Sequence, residues 1–286
     1  LNHSAINWQS FSIPAGSSTY FQQPSAASTS INRVVTNTPS LIFGTLGSNG
    51  NLVLVNQSGI TVGAGAVVDT AGFTASALRM SDADALSGKM RFGDASPSTG
   101  SVSIMGSVLA RSGDVVLMGS SVETGSSALV QAPNGSTVLA AGQQIEITGR
   151  GLEGIVMQVQ APNDSAVNLG TLKGDAVGIF AGTLKHSGLI QATTAALEGG
   201  RVVLRAAQRV ETTGDVHASG STGGVVDILV APSVDADLPG AVVQSGTIDV
   251  QGTVGAGGAV RIQTDALLST AAIDARGAGA GGSISV

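Results

Sequence analysis

Four glycine pairs recur through the C-terminal third of the chain at nearly regular intervals. Each pair opens a motif of the form Gly-Gly-x-Val/Ile, and successive motifs are 24, 34 and 24 residues apart. They begin at Gly199, Gly223, Gly257 and Gly281. A second motif, Ser/Thr-Gly/Ala-x-Val/Ile, lies between them with spacings of 26, 32 and 25 residues. A repeat of this length predicts a solenoid, in which each repeat is one coil that buries its apolar side chains against the neighbouring coils.

Within a repeat, residues alternate between two faces as they do in a β-strand. Val202, Leu204 and Ala206 share one face, whereas Val203 and Arg205 share the other, and a period of two predicts a strand. Short parallel strands joined by turns at this period predict an all-β fold, a parallel β-helix. The side chains predicted to point inward include Leu52, Leu54, Val202, Leu204, Ile248 and Ile273.

Composition excludes several classes of protein. The 286 residues include no cysteine, 42% are hydrophobic and only 11% are charged, which argues against disorder, a coiled coil and a disulfide scaffold. The formal net charge of -6 argues against nucleic-acid binding, which requires neutralisation of phosphates. No apolar run reaches the roughly 20 residues of a membrane-spanning helix, and the first residues do not form a signal peptide.

The aromatic residues divide the chain. Seven of the eight lie in the first 92 residues, so we expect residues 1–92 to form a cap and the first coils, and residues 93–286 to form regular coils of the same single domain. Residues 231–240 (APSVDADLPG) predict an insertion loop. Ser81, with Asp84 three residues later, is a candidate N-cap, and residues 81–90 predict a short helical turn or a loop that leaves the solenoid.

A long ordered series of motifs resembles one family. The motifs of this chain that carry the resemblance are INWQSFSI (6–13), Tyr20-Phe21, Gln23-Pro24, INRVV (31–35), the segment 39–76, the segment 112–147, AVNLG (166–170), FAGTLKHSGLIQA (180–192) and GGRVVLRAA (199–207). Together they resemble the secretion domain of two-partner-secretion exoproteins, in the branch of filamentous haemagglutinin and the high-molecular-weight adhesins. The family's central Asn-Pro-Asn-Gly-Ile/Val motif corresponds here to Asn56-Gln57-Ser58-Gly59-Ile60, so Gln57 and Ser58 replace Pro and Asn.

The resemblance implies a right-handed parallel β-helix with an N-terminal cap and some strands outside the helix. It also implies a secretion signal that engages an outer-membrane TpsB-type β-barrel transporter through its periplasmic POTRA domains. The chain would then reach the cell surface or the medium through the periplasm, as a monomer and as part of a large Gram-negative exoprotein, an adhesin with host surface or matrix partners. The residues assigned to the secretion motif are Asn32, Arg33, Asn49, Gly50, Asn56, Gly59, Ile60 and Gly63.

Simpler interpretations stand beside these assignments. The Asn56–Ile60 segment also fits an ordinary turn, and Asn32 and Arg33 fit either a solvated cap edge or a transporter contact. The three histidines are far apart, and the pairs Asp82/Asp84 and Asp235/Asp237 lack the pattern of a calcium loop, so we predict no metal and no cofactor.

Two other functions remain open from the sequence. Parallel β-helices include enzymes that cleave polysaccharides, and Asp249 and Asp274, 25 residues apart, are predicted to stack on adjacent coils with His217 one coil earlier. We interpret this row as a solvated outer face and predict that the chain is not an enzyme. The third possibility is an adhesive stalk whose coils bind host glycans.

Overall fold

The structure is a computed structural model that describes residues 2–94, 96–233 and 239–286. Over this part of the chain it contains 29 β-strands, one α-helix and one 3-10 helix. The strands are β1 His3–Trp8, β2 Ser18–Phe21, β3 Thr29–Val34, β4 Ser40–Ile42, β5 Thr45–Ser48, β6 Asn51–Val55, β7 Ile60–Val62, β8 Val67–Thr70, β9 Gly72–Ser76, β10 Arg91–Phe92, β11 Ser101–Ile104, β12 Ser107–Ala110, β13 Val115–Gly119, β14 Ser121–Thr124, β15 Leu129–Ala141, β16 Gln144–Ile147, β17 Ile155–Val159, β18 Ser165–Asn168, β19 Thr171–His186, β20 Leu189–Ala192, β21 Arg201–Thr212, β22 Asp215–His217, β23 Val225–Val230, β24 Ala241–Gln244, β25 Thr247–Asp249, β26 Ala259–Gln263, β27 Ala266–Ser269, β28 Ala272–Asp274 and β29 Ser283–Ser285. Helix α1 spans Asp82–Ser87, and the 3-10 helix spans Leu152–Gly154.

Twenty-six of these strands pair in parallel and form three stacks, which the chain visits in turn once per coil. Stack 1 contains β1, β3, β6, β9, β13, the second half of β15, the middle of β19, the first half of β21, β23, β26 and β29. Stack 2 contains β4, β7, β11, β14, β18, the last parts of β19 and β21, β24 and β27. Stack 3 contains β2, β5, β8, β12, the first parts of β15 and β19, β20, β22, β25 and β28. This architecture is the parallel β-helix that the repeat predicted.

The predicted inward register is confirmed. Val202 lies opposite Val226 on the next coil, and Val226 lies opposite Val260 on the one after, so equivalent side chains of successive coils stack inside the helix. Five of the six residues named as inward are at most 1% exposed, and Ile273, near the last coil, is partly buried and packs against the same core.

The glycine pairs occupy the corner between stacks 3 and 1, where successive coils touch through their backbones. A Cβ added to Gly224 would lie 2.0 Å from the carbonyl oxygen of Gly200, and a Cβ on Gly258 would lie 2.0 Å from the carbonyl oxygen of Gly224. Real Cβ atoms do not approach so closely, because carbon and oxygen overlap strongly at that distance. The glycine repeat in the sequence therefore marks the positions at which successive coils pack through their backbones, with no side chain between them.

Aromatic side chains close the N-terminal end. The ring of Phe11 is 5.4 Å from that of Trp8 in an edge-to-face arrangement and 6.1 Å from that of Phe21 in a stacked one. Phe11 is buried, and the other two pack against the core. These rings cover the apolar end of the first coil, as expected for a cap.

Three excursions leave the helix at one corner, between a strand of stack 1 and the following strand of stack 2. The first, after β9, contains α1 with Ser81 as its N-cap: the Ser81 hydroxyl accepts a hydrogen bond from the Asp84 N–H, as predicted. The second, after β15, forms β16 and β17, which pair antiparallel with each other, and β16 also pairs antiparallel with β10. The regular coils expected over residues 93–286 are thus interrupted by this hairpin. The third is the predicted insertion at 231–240, of which residues 234–238 lie outside the described residues.

The first two excursions create a second apolar core on the outer face of stack 1. Outward residues of the stack, including Val53, Val116 and Val138, pack there with Met80, Phe92 and Ile145 from the excursions. Val203, on the outer face as predicted, is also only 2% exposed because it belongs to this cluster.

Candidate functional site

The Asn49–Gly50 turn is tied to the preceding coil by a side-chain amide. Asn49 Oδ1 accepts a hydrogen bond from the Gln23 N–H at 2.7 Å, and Asn49 Nδ2 donates to the Gln23 carbonyl at 2.8 Å. The side chain therefore makes the two bonds that a backbone peptide would make in a strand. Gly50 leaves room for the Gln23 side chain, since a Cβ there would lie 2.6 Å from Gln23 Cδ. Gln23 in turn donates to the Ser48 hydroxyl at 2.9 Å and to the Asn51 carbonyl at 2.8 Å.

The Asn56–Gly59 turn joins β6 to β7 and is also tied between coils. The buried Asn56 side chain donates to the Thr38 carbonyl and to the Ser40 hydroxyl, both at 2.9 Å. Its Oδ1 accepts the Ser58 N–H at 2.9 Å, which is the side-chain turn that asparagine favours. Gly59 has a φ of 103°, a left-handed conformation that glycine adopts without strain, and its N–H donates to the Asn56 carbonyl.

The two positions that depart from the family motif do not hold this turn together. Gln57 is exposed and Ser58 is half-buried, and the hydrogen bonds recorded for the described residues involve only the backbone N–H of Ser58. The retained Asn56 and Gly59 supply the side-chain bonds and the backbone conformation. The replacement of Pro and Asn by Gln57 and Ser58 is therefore compatible with the same turn.

The other two motif residues of this coil, Ile60 and Gly63, are buried and do not form part of the surface. Ile60 is 1% exposed and lies in the main core. Gly63 lies beneath the ring of Phe43, and a Cβ there would be 2.2 Å from Phe43 Cδ1. Asn49–Gly50, Asn56–Gly59 and Gly63 are thus the three corners of a single coil, residues 49–70, and they do not meet in one patch.

Asn32 and Arg33 lie on β3 of the preceding coil and bind the parts of the chain that cap it. Asn32 points inward and accepts a hydrogen bond from Trp8 Nε1 at 2.9 Å. Arg33 points outward, donates from Nε and Nη2 to Asn7 Oδ1 at 3.1 and 2.9 Å and from Nη1 to the Met80 carbonyl at 2.8 Å, and pairs with the Asp82 carboxylate. That hydrogen bond lowers the pKa of Asp82. The alternative of a solvated cap edge is wrong, because Asn32 is 0% and Arg33 6% exposed.

Most partners of the motif residues were not identified from the sequence. These partners are Gln23, Trp8, Thr38 and Ser40, none of which belongs to the secretion motif. Their common signal is position, since each lies one coil before the residue that it contacts, 16 to 26 residues earlier. That signal can be used only when the coil length is known.

The carboxylates considered for catalysis stack as predicted but lack the electrostatics of an acid–base pair. Asp249 lies opposite Asp274 on adjacent coils, and His217 Nδ1 is 3.5 Å from Asp249 Oδ2. Arg276 hydrogen bonds lower the pKa of Asp274, whereas a general acid of a glycosidase needs a raised pKa. The row is best described as a charged outer face.

The other candidate ligands do not converge. Over the described residues, no three His, Asp or Glu side chains are close enough to hold a metal ion together. Asp84 is bound to Ser81 at the start of α1, and Asp235 and Asp237 lie outside the described residues. In the same part of the chain, neither helix is long and apolar enough to cross a membrane.

Comparison with known proteins places the geometry in a family. The family model of the TPS secretion domain matches residues 2–228. The chain belongs to the TPS secretion domain family. Domains of this two-partner-secretion family belong to exoproteins that are secreted across the outer membrane. These are secretion domains rather than enzymes.

A solved structure and two sequence relatives agree with this TPS domain assignment. The crystal structure of the HMW1 secretion domain from Haemophilus influenzae superposes with a TM-score of 0.81 and 25% identity, covering 98% of this chain and 86% of that one. Two heme/hemopexin-binding proteins of Haemophilus influenzae are 39% and 36% identical over 70 residues. Those matches cover 24% of this chain and only 8% of each relative's length.

Proposed function

We propose that this TPS domain is a secretion signal that an outer-membrane TpsB-type transporter recognises before the domain folds, and that the folded domain then templates further coils. The burial of the motif supports the first part. Of the eight motif residues, seven are buried and Asn49 is half-buried. A partner that reads these side chains therefore has to meet them in the unfolded chain.

The arrangement of the motif supports a linear signal. In the folded state its members lie at three different corners of the 49–70 coil and on the preceding β3, so no single surface contains them. In an extended chain residues 49–63 form one continuous stretch. The periplasmic POTRA domains of the transporter would add such a segment to a sheet edge, where backbone hydrogen bonds supply affinity and side chains supply register.

The last coil supports the templating role. All four residues of β27 are exposed, and Leu267, Leu268 and Ile284 are 38%, 65% and 52% exposed. Parallel strand edges with apolar side chains beside them accept a further coil of the same repeat. Each coil added outside the cell buries apolar area at about 25 cal/mol per Å² and so favours movement of the chain outward.

We also propose that the full-length exoprotein is an adhesin with host cell-surface or matrix partners. The resemblance of the sequence motifs to those of the filamentous haemagglutinin and high-molecular-weight adhesin branch supports this proposal. The test is binding of the complete secreted protein to cultured epithelial cells, with loss of binding expected when the region after the TPS domain is deleted.

An export assay with the cognate transporter, paired with thermal melts, tests the secretion signal. Asn56→Ala leaves the Thr38 carbonyl and the Ser40 hydroxyl without their partner and should cost about 2 kcal/mol. Asn168→Ala is the matched control, because Asn168 is equally buried and bonds Thr124 and His186 but is not one of the eight residues assigned to the secretion motif. We expect similar melts for the two variants, lost export for Asn56→Ala and normal export for Asn168→Ala.

A second pair of variants tests the turn. Gly59→Ala is strained by a φ of 103°, and Gly65→Ala by a φ of 80° in open space. Only the first should reduce secretion. Normal export of both Asn56→Ala and Gly59→Ala would refute the proposed signal. Equal loss of export in the motif variants and their controls would also refute it, because export would then depend on the stability of the domain and not on the motif.

A further inference from the structure

An exposed tyrosine lies flat on the outer surface of the first coils. Tyr20, the single tyrosine of the chain, is 61% exposed on β2. Its register partner on the next coil is Gly47, followed by Asp69 on the coil after that. A Cβ on Gly47 would lie 2.7 Å from Tyr20 Cδ2. The glycine therefore lets the ring lie down over the coil.

A carboxylate–guanidinium pair stands beside this ring. Arg111 Nε donates to Asp69 Oδ1 and Arg111 Nη2 donates to Asp69 Oδ2, each at 2.6 Å. Since neighbouring strands are about 4.8 Å apart, the Asp69 backbone lies about 10 Å from that of Tyr20 along the row. The three side chains line a groove of about 500 Å³ together with Ser48, Asn49 and Ser112, a volume within the range of about 300–1,000 Å³ of small-molecule sites.

The pair retains capacity for hydrogen bonds but presents no net charge. Each Asp69 oxygen accepts one Arg111 bond and has a second lone pair, and Arg111 Nη1 makes none of the bonds to Asp69. A ligand hydroxyl both donates and accepts, so it can bond both members at once. Because Arg111 already neutralises Asp69, neither an anion nor a cation gains a full opposite charge in this groove.

The ring of Tyr20 offers a second kind of contact to a ligand in the groove. The face of an aromatic ring is negative, and it attracts the slightly positive C–H groups on one side of a pyranose ring. We propose that the groove formed by Tyr20, Asp69 and Arg111 binds a neutral pyranose of a glycan, with the sugar's C–H face on Tyr20 and its hydroxyls on the Asp69–Arg111 pair. This binding activity is distinct from the secretion signal, although Asn49 of the motif lies along one side of the groove.

Phe43 provides a matched control. Its ring also lies over a glycine of the next coil, Gly63, and it is 43% exposed. On the next two coils the equivalent positions are Gly63 and Met105, so no charged residue follows Phe43 along this corner. A site that needs only an exposed ring would include Phe43, whereas the proposed site does not.

The single tyrosine makes the test specific. Protein labelled with 3-fluorotyrosine gives one fluorine resonance, from Tyr20, which is followed while lactose or maltose is added up to saturation at millimolar concentration, with 3′-sialyllactose as the charged comparator. We expect a saturable shift with at least one neutral sugar. Asp69→Asn and Arg111→Gln should each weaken it about tenfold, equivalent to about 1.4 kcal/mol, while Phe43→Ala leaves it unchanged.

Saturation-transfer NMR on Tyr20→Ala completes the series, and circular dichroism melts confirm that each variant is folded. Loss of transfer to the sugar in Tyr20→Ala supports the proposal. No shift with either neutral sugar, a response to sialyllactose alone, or equal affinity in Asp69→Asn and the parent protein would each overturn it.

Discussion

The coil of residues 49–70 and the coils after residue 199 are built on the same three stacks but are joined to their neighbours differently. In the first, side-chain amides tie the corners, with Asn49 bonded to Gln23 and Asn56 to Thr38 and Ser40. In the second, the corners are glycine pairs such as Gly223–Gly224, which touch the adjacent coil through backbone alone.

The difference separates two tasks of one fold. Amide ties are specific, because each joins one side chain to one partner, and they suit a coil that has to differ from the others. Glycine corners are repeatable, because each coil presents to the next the same surface that it received. The first type fits a signal that is read once, and the second fits an array that extends.

The largest expected effect comes from placing a side chain in a glycine corner. Gly224→Ala puts a methyl group 2.0 Å from the Gly200 carbonyl oxygen, and because backbone cannot move aside freely we expect a loss of about 3 kcal/mol in urea unfolding. Gly281→Ala, where nothing lies within 4 Å of the added Cβ, should be nearly neutral. Equal midpoints for the two variants would contradict the backbone contact as the reason for the repeat.

The next effect is a loss of stability in acid that originates between the two regions. His186 is 0% exposed; Asn168 Nδ2 lies 2.9 Å from its Nδ1, and its Nε2 donates to the Asp215 carbonyl. Burial lowers the pKa of His186 to about 4, against 6.5 in an unfolded chain. Folding therefore favours the neutral form of His186. The contribution of this residue to the free energy of unfolding is fully present above pH 6.5, and about 2–3 kcal/mol of it is lost as the pH falls towards 4.

Urea midpoints between pH 7 and pH 4 measure this loss. His186→Gln should flatten the pH dependence in this range, because the glutamine side chain can hydrogen bond but does not titrate. A parent protein whose midpoint does not change over this range would show that protonation of His186 is accommodated.

The smallest effect concerns the cap. Arg33→Met removes the bonds to Asn7 and the Met80 carbonyl and should cost about 1–2 kcal/mol, with faster amide exchange confined to β1 and α1. Arg79→Met is the control, since Arg79 is 63% exposed and pairs with Asp94 at 3.3 Å, a surface ion pair worth about 0–1 kcal/mol. Uniformly faster amide exchange along the chain would contradict a purely local role of the Arg33 hydrogen bonds in holding the cap.

The sequence predicted those features that depend on local pattern. Alternation placed Leu204 and Ile248 inside, the glycine period gave the coil, and Ser81 marked the start of α1. It did not predict the second core, because outward residues such as Val116 are buried by excursions that are distant in sequence, and the local pattern does not show which segments will cover them. The runs NLVLV at 51–55 and VVLM at 115–118 are apolar on both faces, as strands buried on both sides are.

For the candidate site, the sequence predicted where the chain turns but not which contacts the turns make, and the recognition role of these residues stays a prediction. The turns at Asn49–Gly50 and Asn56–Gly59 lie where the motif indicated. The burial of Asn32 and Arg33 could not be predicted, because it depends on Trp8, Asn7 and the excursion at Met80, which are brought together only by coil stacking.

The excursions after β9, β15 and β23 all leave from the same corner, and this fact bears on how such chains diversify. At the corner between stacks 2 and 3 the connections of the described coils are only two to four residues long, and Gly63 there presses against the ring of Phe43, so added sequence would force the coils apart. Between stacks 1 and 2, in contrast, segments of different lengths have been accepted without a change in the strands on either side. That flank of the solenoid is a place where new peptide can be grafted, by evolution or by design, while the stacking of the coils is preserved.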